Sequence, residues 1–121
     1  MPHMPDDDAQ EHPTCSIPAA TVVIFRRADN GPPELLMVQR SRALRFAGGA
    51  VVFPGGKVDP GDHTLAAELR PNDDPSSTAA RIAAVRETLE ETGLVLAVRE
   101  RICADEAAAA RAMLLERGRL A

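Results

Sequence analysis

Apolar residues come in short runs early in the chain and at helical spacing later. Residues 21–27 (TVVIFRR) form a β-branched run that ends in charge, and residues 34–40 (ELLMVQR) form a second apolar run. Between them Asp29-Asn30-Gly31-Pro32-Pro33 supplies turn chemistry, so the two runs predict a β-hairpin. A short strand is expected over residues 50–53, closed by Pro54-Gly55-Gly56, where a fixed proline φ and glycine freedom end regular pairing. Residues 57–77 carry neither period and are expected to be irregular, with 63–77 a polar surface excursion outside the core.

From residue 78 to 92 the period becomes helical, with Ser76 or Ser77 as N-cap and Gly93 as the stop. With Ile82 set at 0° and about 100° per residue, Val85 and Leu89 fall near 300° and 340°, while Glu90, Glu87 and Glu91 fall near 80°, 140° and 180°. The spacing therefore opposes an apolar face to an acidic one. Residues 95–98 predict a further strand, and the alanine-rich residues 105–117 a second helix stopped by Gly118. Residues 1–16, rich in proline and with three consecutive aspartates, cannot offset the entropy of ordering and read as a disordered leader. Its His3 and His12 are isolated and read as solvated. Residues 17–121 are expected to form one domain, with no internal repeat.

Composition excludes several function classes. A 121-residue chain that is 45% hydrophobic has enough apolar side chains for one small core. Its only aromatics are three Phe, which disfavours base-stacking surfaces, and a net charge of −4 disfavours nucleic-acid binding by a basic face. No apolar run approaches the roughly twenty residues of a membrane span. Cys15 and Cys103 sit in no metal-ligand spacing and follow no secretory signal, as expected for reduced thiols of a cytoplasmic protein.

Glu87, Glu90 and Glu91 lie within five positions of one helix, and they repel one another unless something positive sits among them. A hard divalent cation does that, and oxygen-rich, thiol-free ligation suits Mg2+ or Mn2+, which bridge carboxylates to substrate phosphates. The alternative is a solvated charged face, the commoner fate of a Glu-rich surface.

The flanking residues weigh against that alternative. Arg86-Glu87-Thr88-Leu89-Glu90-Glu91-Thr92-Gly93-Leu94 resembles the R-E-U-x-E-E-x-G-U half of the Nudix box, where U is a bulky apolar residue, and Gly56 followed five residues later by Asp62 resembles its G-x5-E half. Asp62 stands where the box has Glu, and Thr88 where it prefers an apolar residue. Between Asp62 and Arg86 lie 23 residues where the box has seven, so sixteen extra residues interrupt it. Arg40-Ser41, Arg45, Gly49 and Phe53-Pro54-Gly55-Gly56 are similar to the R-[SA]-x3-R-x3-G-x3-F-P-G-G signature of Nudix coenzyme A diphosphatases, although Leu36-Met37-Val38 matches its usual opening only loosely. The interrupted box also resembles a branch of those enzymes with a long insertion. Together the resemblances cover about residues 20–94.

The resemblance implies an α/β fold, an α/β/α sandwich around a mixed sheet. Only 27 residues follow Leu94, too few for the expected later strands and closing helix, so the domain is expected to be truncated at its C-terminal end. It further implies metal-dependent cleavage of the diphosphate in a nucleoside diphosphate derivative, with coenzyme A or acyl-coenzyme A favoured as substrate. In that reading Glu87, Glu90 and Glu91, with the carbonyl of Gly55 or Gly56, hold Mg2+ or Mn2+. Arg86 orients the glutamate that follows it. The general base is one of these glutamates or a residue further along. Arg40 and Arg45 meet phosphate or pair with helix carboxylates, and Lys57 reaches phosphate or is solvated, the two readings weighing equally in each case. The same chemistry on ADP-ribose or NADH is an alternative, as is a catalytically silent nucleotide-binding module. The partner is a small molecule, and a homodimer is left open because oligomeric state is not legible in the residues.

Overall fold

The computed structural model describes residues 16–43, 48–96, 100 and 102–117. Three extended segments, each broken into two short strands, pair with one another. The first carries β1 (Ala19–Thr21) and β2 (Phe25–Arg26), the second β3 (Glu34–Leu35) and β4 (Val38–Gln39), and the third β5 (Val51–Val52) and β6 (Gly55–Lys57). β1 pairs with β6, β2 with β3, and β4 with β5, all antiparallel. Each segment thus bonds to both of the others. The expected hairpin is present as β2–β3, where Arg26 and Glu34 face each other across the pair and join in an exposed ion pair of 2.9 Å. It is shorter than the apolar runs suggested because residues 21–27 change partner midway: Val22 donates to Pro54 O at 3.0 Å, and Ile24 O accepts from Leu36 at 2.9 Å.

Pro54-Gly55-Gly56 does not end pairing, contrary to expectation. Gly55 and Gly56 lie in β6, with Thr21 opposite Gly55 and Ala20 opposite Gly56. The strands come so close at Gly55 that a Cβ there would run into the carbonyl oxygen of Ala20. Glycine is needed here for close approach.

The reading of 57–77 as irregular is also corrected. Pro60–Leu69 is a helix, α1, which begins with Asp59 as N-cap and proline at its first position. Asp62 turns back to accept the Asp59 N–H at 2.8 Å. Leu65 and Ala66 are buried, so the stretch expected to lie outside the core contributes to it. The helix is hidden from periodicity because its few apolar residues make only a narrow stripe, and Asp59-Pro60 reads equally well as a turn.

The central helix, α2 (Pro75–Thr92), packs on α1, β1, β6 and α3 (Ala104–Arg117). It starts before Ser76, with Asp74 as N-cap in place of Ser76 or Ser77, its carboxylate accepting the Ser77 N–H at 2.9 Å. It ends as expected at Gly93, which has a left-handed φ of 76° and donates to Leu89 O at 2.9 Å. Its buried face differs from the expected one: Ala79, Ala83 and Leu89 are buried with Arg86 and Thr88, while Ile82 and Val85 are half-buried. The alanines let neighbouring backbones approach. Thr88 satisfies its hydroxyl on Ala84 O at 2.7 Å, which is why a polar residue fits a position where the box prefers an apolar one.

α3 matches the predicted second helix and buries Leu114. Val95 and Leu96 lie in no strand, and residues 97 and 98 of that expectation are outside the described residues, as are Gly118 and residues 1–15 of the leader. The expected α/β class is observed, and the strand pairs among the described residues are all antiparallel. No helix among the described residues is long and apolar enough to cross a membrane.

Candidate active site

The site is built around Arg86. Its side chain is 2% exposed, and a buried guanidinium must satisfy five N–H donors or lose stability. It satisfies them on three elements. Nε donates to Asp62 Oδ1 at 2.9 Å and Nη2 to Asp62 Oδ2 at 3.0 Å, a two-pronged pair with a carboxylate that is itself 1% exposed. Nη2 also donates to the carbonyl of Lys57 at 2.9 Å, at the end of β6. Nη1 faces the acidic surface, donating to Glu87 Oε1 at 3.0 Å and Glu90 Oε2 at 3.4 Å. Asp59 lies at 3.3 Å from Nη2. Asp62 above all, through its hydrogen bonds and its charge, holds the guanidinium well above its ordinary arginine range.

The 23 residues between Asp62 and Arg86 therefore fold back on themselves. α1 and α2 form a helical hairpin whose open end brings Asp62 to Arg86.

Glu87 lies against the backbone of Gly56, where any Cβ would collide with its carboxylate. Glu91 Oε2 accepts from the Gly55 N–H at 3.4 Å. The two glycines thus form a flat strip of main chain next to the carboxylates. Burial pushes Glu90 above the usual carboxylate range, and the charge of Glu87 adds to this. Burial raises Glu91 too, against the lowering effect of the Gly55 hydrogen bond, and the neighbouring Glu87 and Glu90 charges add to the rise.

Among the described residues no three Asp, Glu, His or Cys side chains are arranged as a ready metal cage. Arg86 occupies Glu87 and Glu90, and Glu91 is turned to Gly55. The donor set nevertheless fits a hard cation. Among the described residues Arg86 is the cation that pairs with Asp59, Asp62, Glu87 and Glu90, and Glu91 adds a further carboxylate. Negative charge is left in excess, with oxygen as the donor type that Mg2+ and Mn2+ prefer.

The substrate candidates are more dispersed. Lys57 has an exposed side chain and contributes its carbonyl to Arg86. Arg40 is half-buried at the end of β4; its N–H donates to Ala50 O at 2.8 Å, and its Nε is buried with no hydrogen-bond partner. The alternative pairing of Arg40 with helix carboxylates is not formed among the described residues. Arg45 lies outside the described residues.

Asp59, the Lys57 carbonyl and Arg111, whose guanidinium donates to the Glu90 carbonyl at 2.6 and 3.1 Å, belong to the network beyond the residues that the sequence picks out. Asp59-Pro60 was available as an N-cap signal, whereas no sequence signal marks a main-chain carbonyl or a contact between α3 and α2.

No protein-family model matches the chain. It is 38% identical over 65 residues to Nudix hydrolase 3 of Caenorhabditis elegans, covering 54% of this chain and 24% of that protein. It is 51% identical over 53 residues to the uncharacterized Nudix hydrolase NudL of Klebsiella aerogenes, covering 43% of this chain and 42% of that protein. A crystal structure of a NUDIX hydrolase from Alicyclobacillus acidocaldarius superimposes with a TM-score of 0.61 at 34% identity, covering 84% of this chain and 55% of that one. The chain thus spans less than half the length of these curated relatives and about half of the solved structure. The fold is that of a Nudix hydrolase. The relatives and the solved structure that this chain resembles are all Nudix hydrolases.

Proposed function

We propose that this chain carries the diphosphate-cleaving centre of a Nudix-type hydrolase acting on a nucleoside diphosphate derivative, with coenzyme A or an acyl-coenzyme A as substrate. The observation that carries the reading is the placing of Glu87 and Glu91 beside the bare backbone of Gly55 and Gly56, with Glu90 joined to the same network through Arg86. Glu87, Glu90 and Glu91, with the Gly55 or Gly56 carbonyl, are the groups that would hold Mg2+ or Mn2+. Bound there, the ion supplies neutralisation of the diphosphate and acidification of water.

The chain's own residues do the rest. Arg86 fixes Glu87 and Glu90 through Nη1 while Asp62 fixes Arg86, so the carboxylates are preorganised. The glycine strip lets a phosphate approach main chain without meeting a side chain. A carboxylate takes the proton of the attacking water at an oxygen, and Glu87, Glu90 and Glu91 are the candidates for that base in this chain. Arg40, with its Nε unpartnered, and Arg45 are assigned to phosphate oxygens of coenzyme A, including the 3′-phosphate that ADP-ribose and NADH lack. The setting is the cytoplasm, with a small-molecule partner.

The test is kcat/KM for coenzyme A, 3′-dephospho-coenzyme A and ADP-ribose at fixed ionic strength with Mg2+ or Mn2+. Wild type is expected to prefer coenzyme A. Arg40→Ala or Arg45→Ala should reduce that preference by about ten- to a hundred-fold, as for one lost charge-assisted contact of roughly 1.5–3 kcal/mol. Glu90→Gln and Glu91→Gln should each cost orders of magnitude in rate with the fold retained. A preference for ADP-ribose would move the substrate and keep the chemistry. Nucleotide binding without turnover would identify a silent module.

A further inference from the structure

Glu90 is held at both ends by arginines from different elements. Its carboxylate accepts from Arg86 Nη1 at 3.4 Å, and its backbone carbonyl accepts from Arg111 of α3, from Nε at 3.1 Å and Nη2 at 2.6 Å. That carbonyl is among the last four of α2, which have no partner within the helix. Gly93 N–H satisfies Leu89 O, and Arg111 takes the next carbonyl with two donors, filling both lone pairs. Its charge also sits at the end of α2 where the aligned peptide dipoles are negative. The turn secured in this way carries Glu90 and Glu91.

We propose that Arg111 is a positioning residue for the acidic surface: by capping Glu90 O it keeps the last turn of α2 wound, and so sets the placement of the Glu90 and Glu91 carboxylates for cation binding. This rests on the reading of those glutamates as metal-holding groups. Arg111 itself touches neither carboxylate in any hydrogen bond formed among the described residues, and its effect passes through the backbone. α3, which packs on α2, is thereby coupled to the chemistry.

The experiment compares wild type with Arg111→Ala, Arg111→Met and Arg111→Lys in the full chain. Methionine keeps the apolar stem and removes the donors, and lysine restores one donor and the charge. Two quantities are read: Mn2+ affinity from electron paramagnetic resonance, and amide hydrogen exchange at Gly93, whose N–H closes the last turn on Leu89 O. Expected are about tenfold weaker Mn2+ binding and about tenfold faster Gly93 exchange in both the Ala and Met variants, with part of each recovered by Lys. Wild-type behaviour of Arg111→Met in either measurement would overturn the proposal, since the side chain would then act only by packing. If wild type binds no Mn2+, the metal reading and the consequence drawn from it fall together. In that case Gly93 exchange still separates the two failures: an accelerated rate in the Met variant upholds the capping, and an unchanged rate overturns it as well.

Discussion

Arg86 and Asp62 show how one buried charge organises a site. Both side chains are almost wholly buried, so removing either leaves the other uncompensated in a medium of low polarity. Arg86→Ala or Asp62→Ala should each lower the free energy of unfolding by about 3–5 kcal/mol, measured by urea titration. The double variant Arg86→Ala with Asp62→Ala should lose less than the sum of the two single losses, because each single leaves a charge unpaired that the double removes. Full additivity would mean the pair is not coupled. Glu90 makes a prediction of opposite sign. Its folded proton affinity is raised by burial and by Glu87, so the folded state favours the neutral form. The stabilisation from this group is fully present below the ordinary carboxylate range and is lost as pH rises through its elevated folded value. Without metal, Glu90→Gln should therefore raise the thermal midpoint at about pH 7. The gain should vanish near about pH 3, below the ordinary carboxylate range, where the wild-type group is protonated in both states.

At the scale of elements, the α1–α2 hairpin decides how a box interrupted by sixteen residues is accommodated. The extra residues do not hang off the surface as a loop. They build α1, whose Leu65 and Ala66 pack inward and whose first turn presents Asp62 to Arg86. Leu65→Ala should cost about 2–4 kcal/mol in thermal or urea unfolding. Two glycines inserted after Asn72, in the exposed connection between the helices, should cost well under about 1 kcal/mol, because a longer surface loop adds little closure entropy. Equal losses from the two changes would return the segment to the surface excursion that its polarity suggested. At the start of α2, Asp74→Ala removes the acceptor of the Ser77 N–H and should cost about 1 kcal/mol.

For the whole molecule, α2 is the hub, touching both other helices and the β1–β6 pair, and the acidic surface lies at its C-terminal end. Any ligand that binds the folded chain and not the unfolded one raises stability by mass action. Mg2+ at about a hundred times its dissociation constant should stabilise the chain by about 2.7 kcal/mol. The rise should disappear when Glu87, Glu90 and Glu91 are all changed to Gln. A midpoint that does not respond to Mg2+ or Mn2+ would count against the cation reading, whatever the rate assays show.

What sequence alone determined were the features written in consecutive residues. The hairpin turn at 29–33, the stop at Gly93, the alanine-rich final helix and the grouping of Arg86, Glu87, Glu90 and Glu91 are all local, set by dihedral preference or helical spacing. Tertiary structure decided what depends on residues far apart in the chain. It decided that Gly55 and Gly56 pair with Ala20 and Thr21 instead of ending a strand, because strand pairing depends on a partner more than thirty residues away. It decided that Pro60–Leu69 is a helix, because its narrow apolar stripe is stabilised by α2 and not by its own period. It also decided that Arg111 reaches Glu90, since a main-chain carbonyl leaves no mark in the sequence and only packing brings a side chain to it.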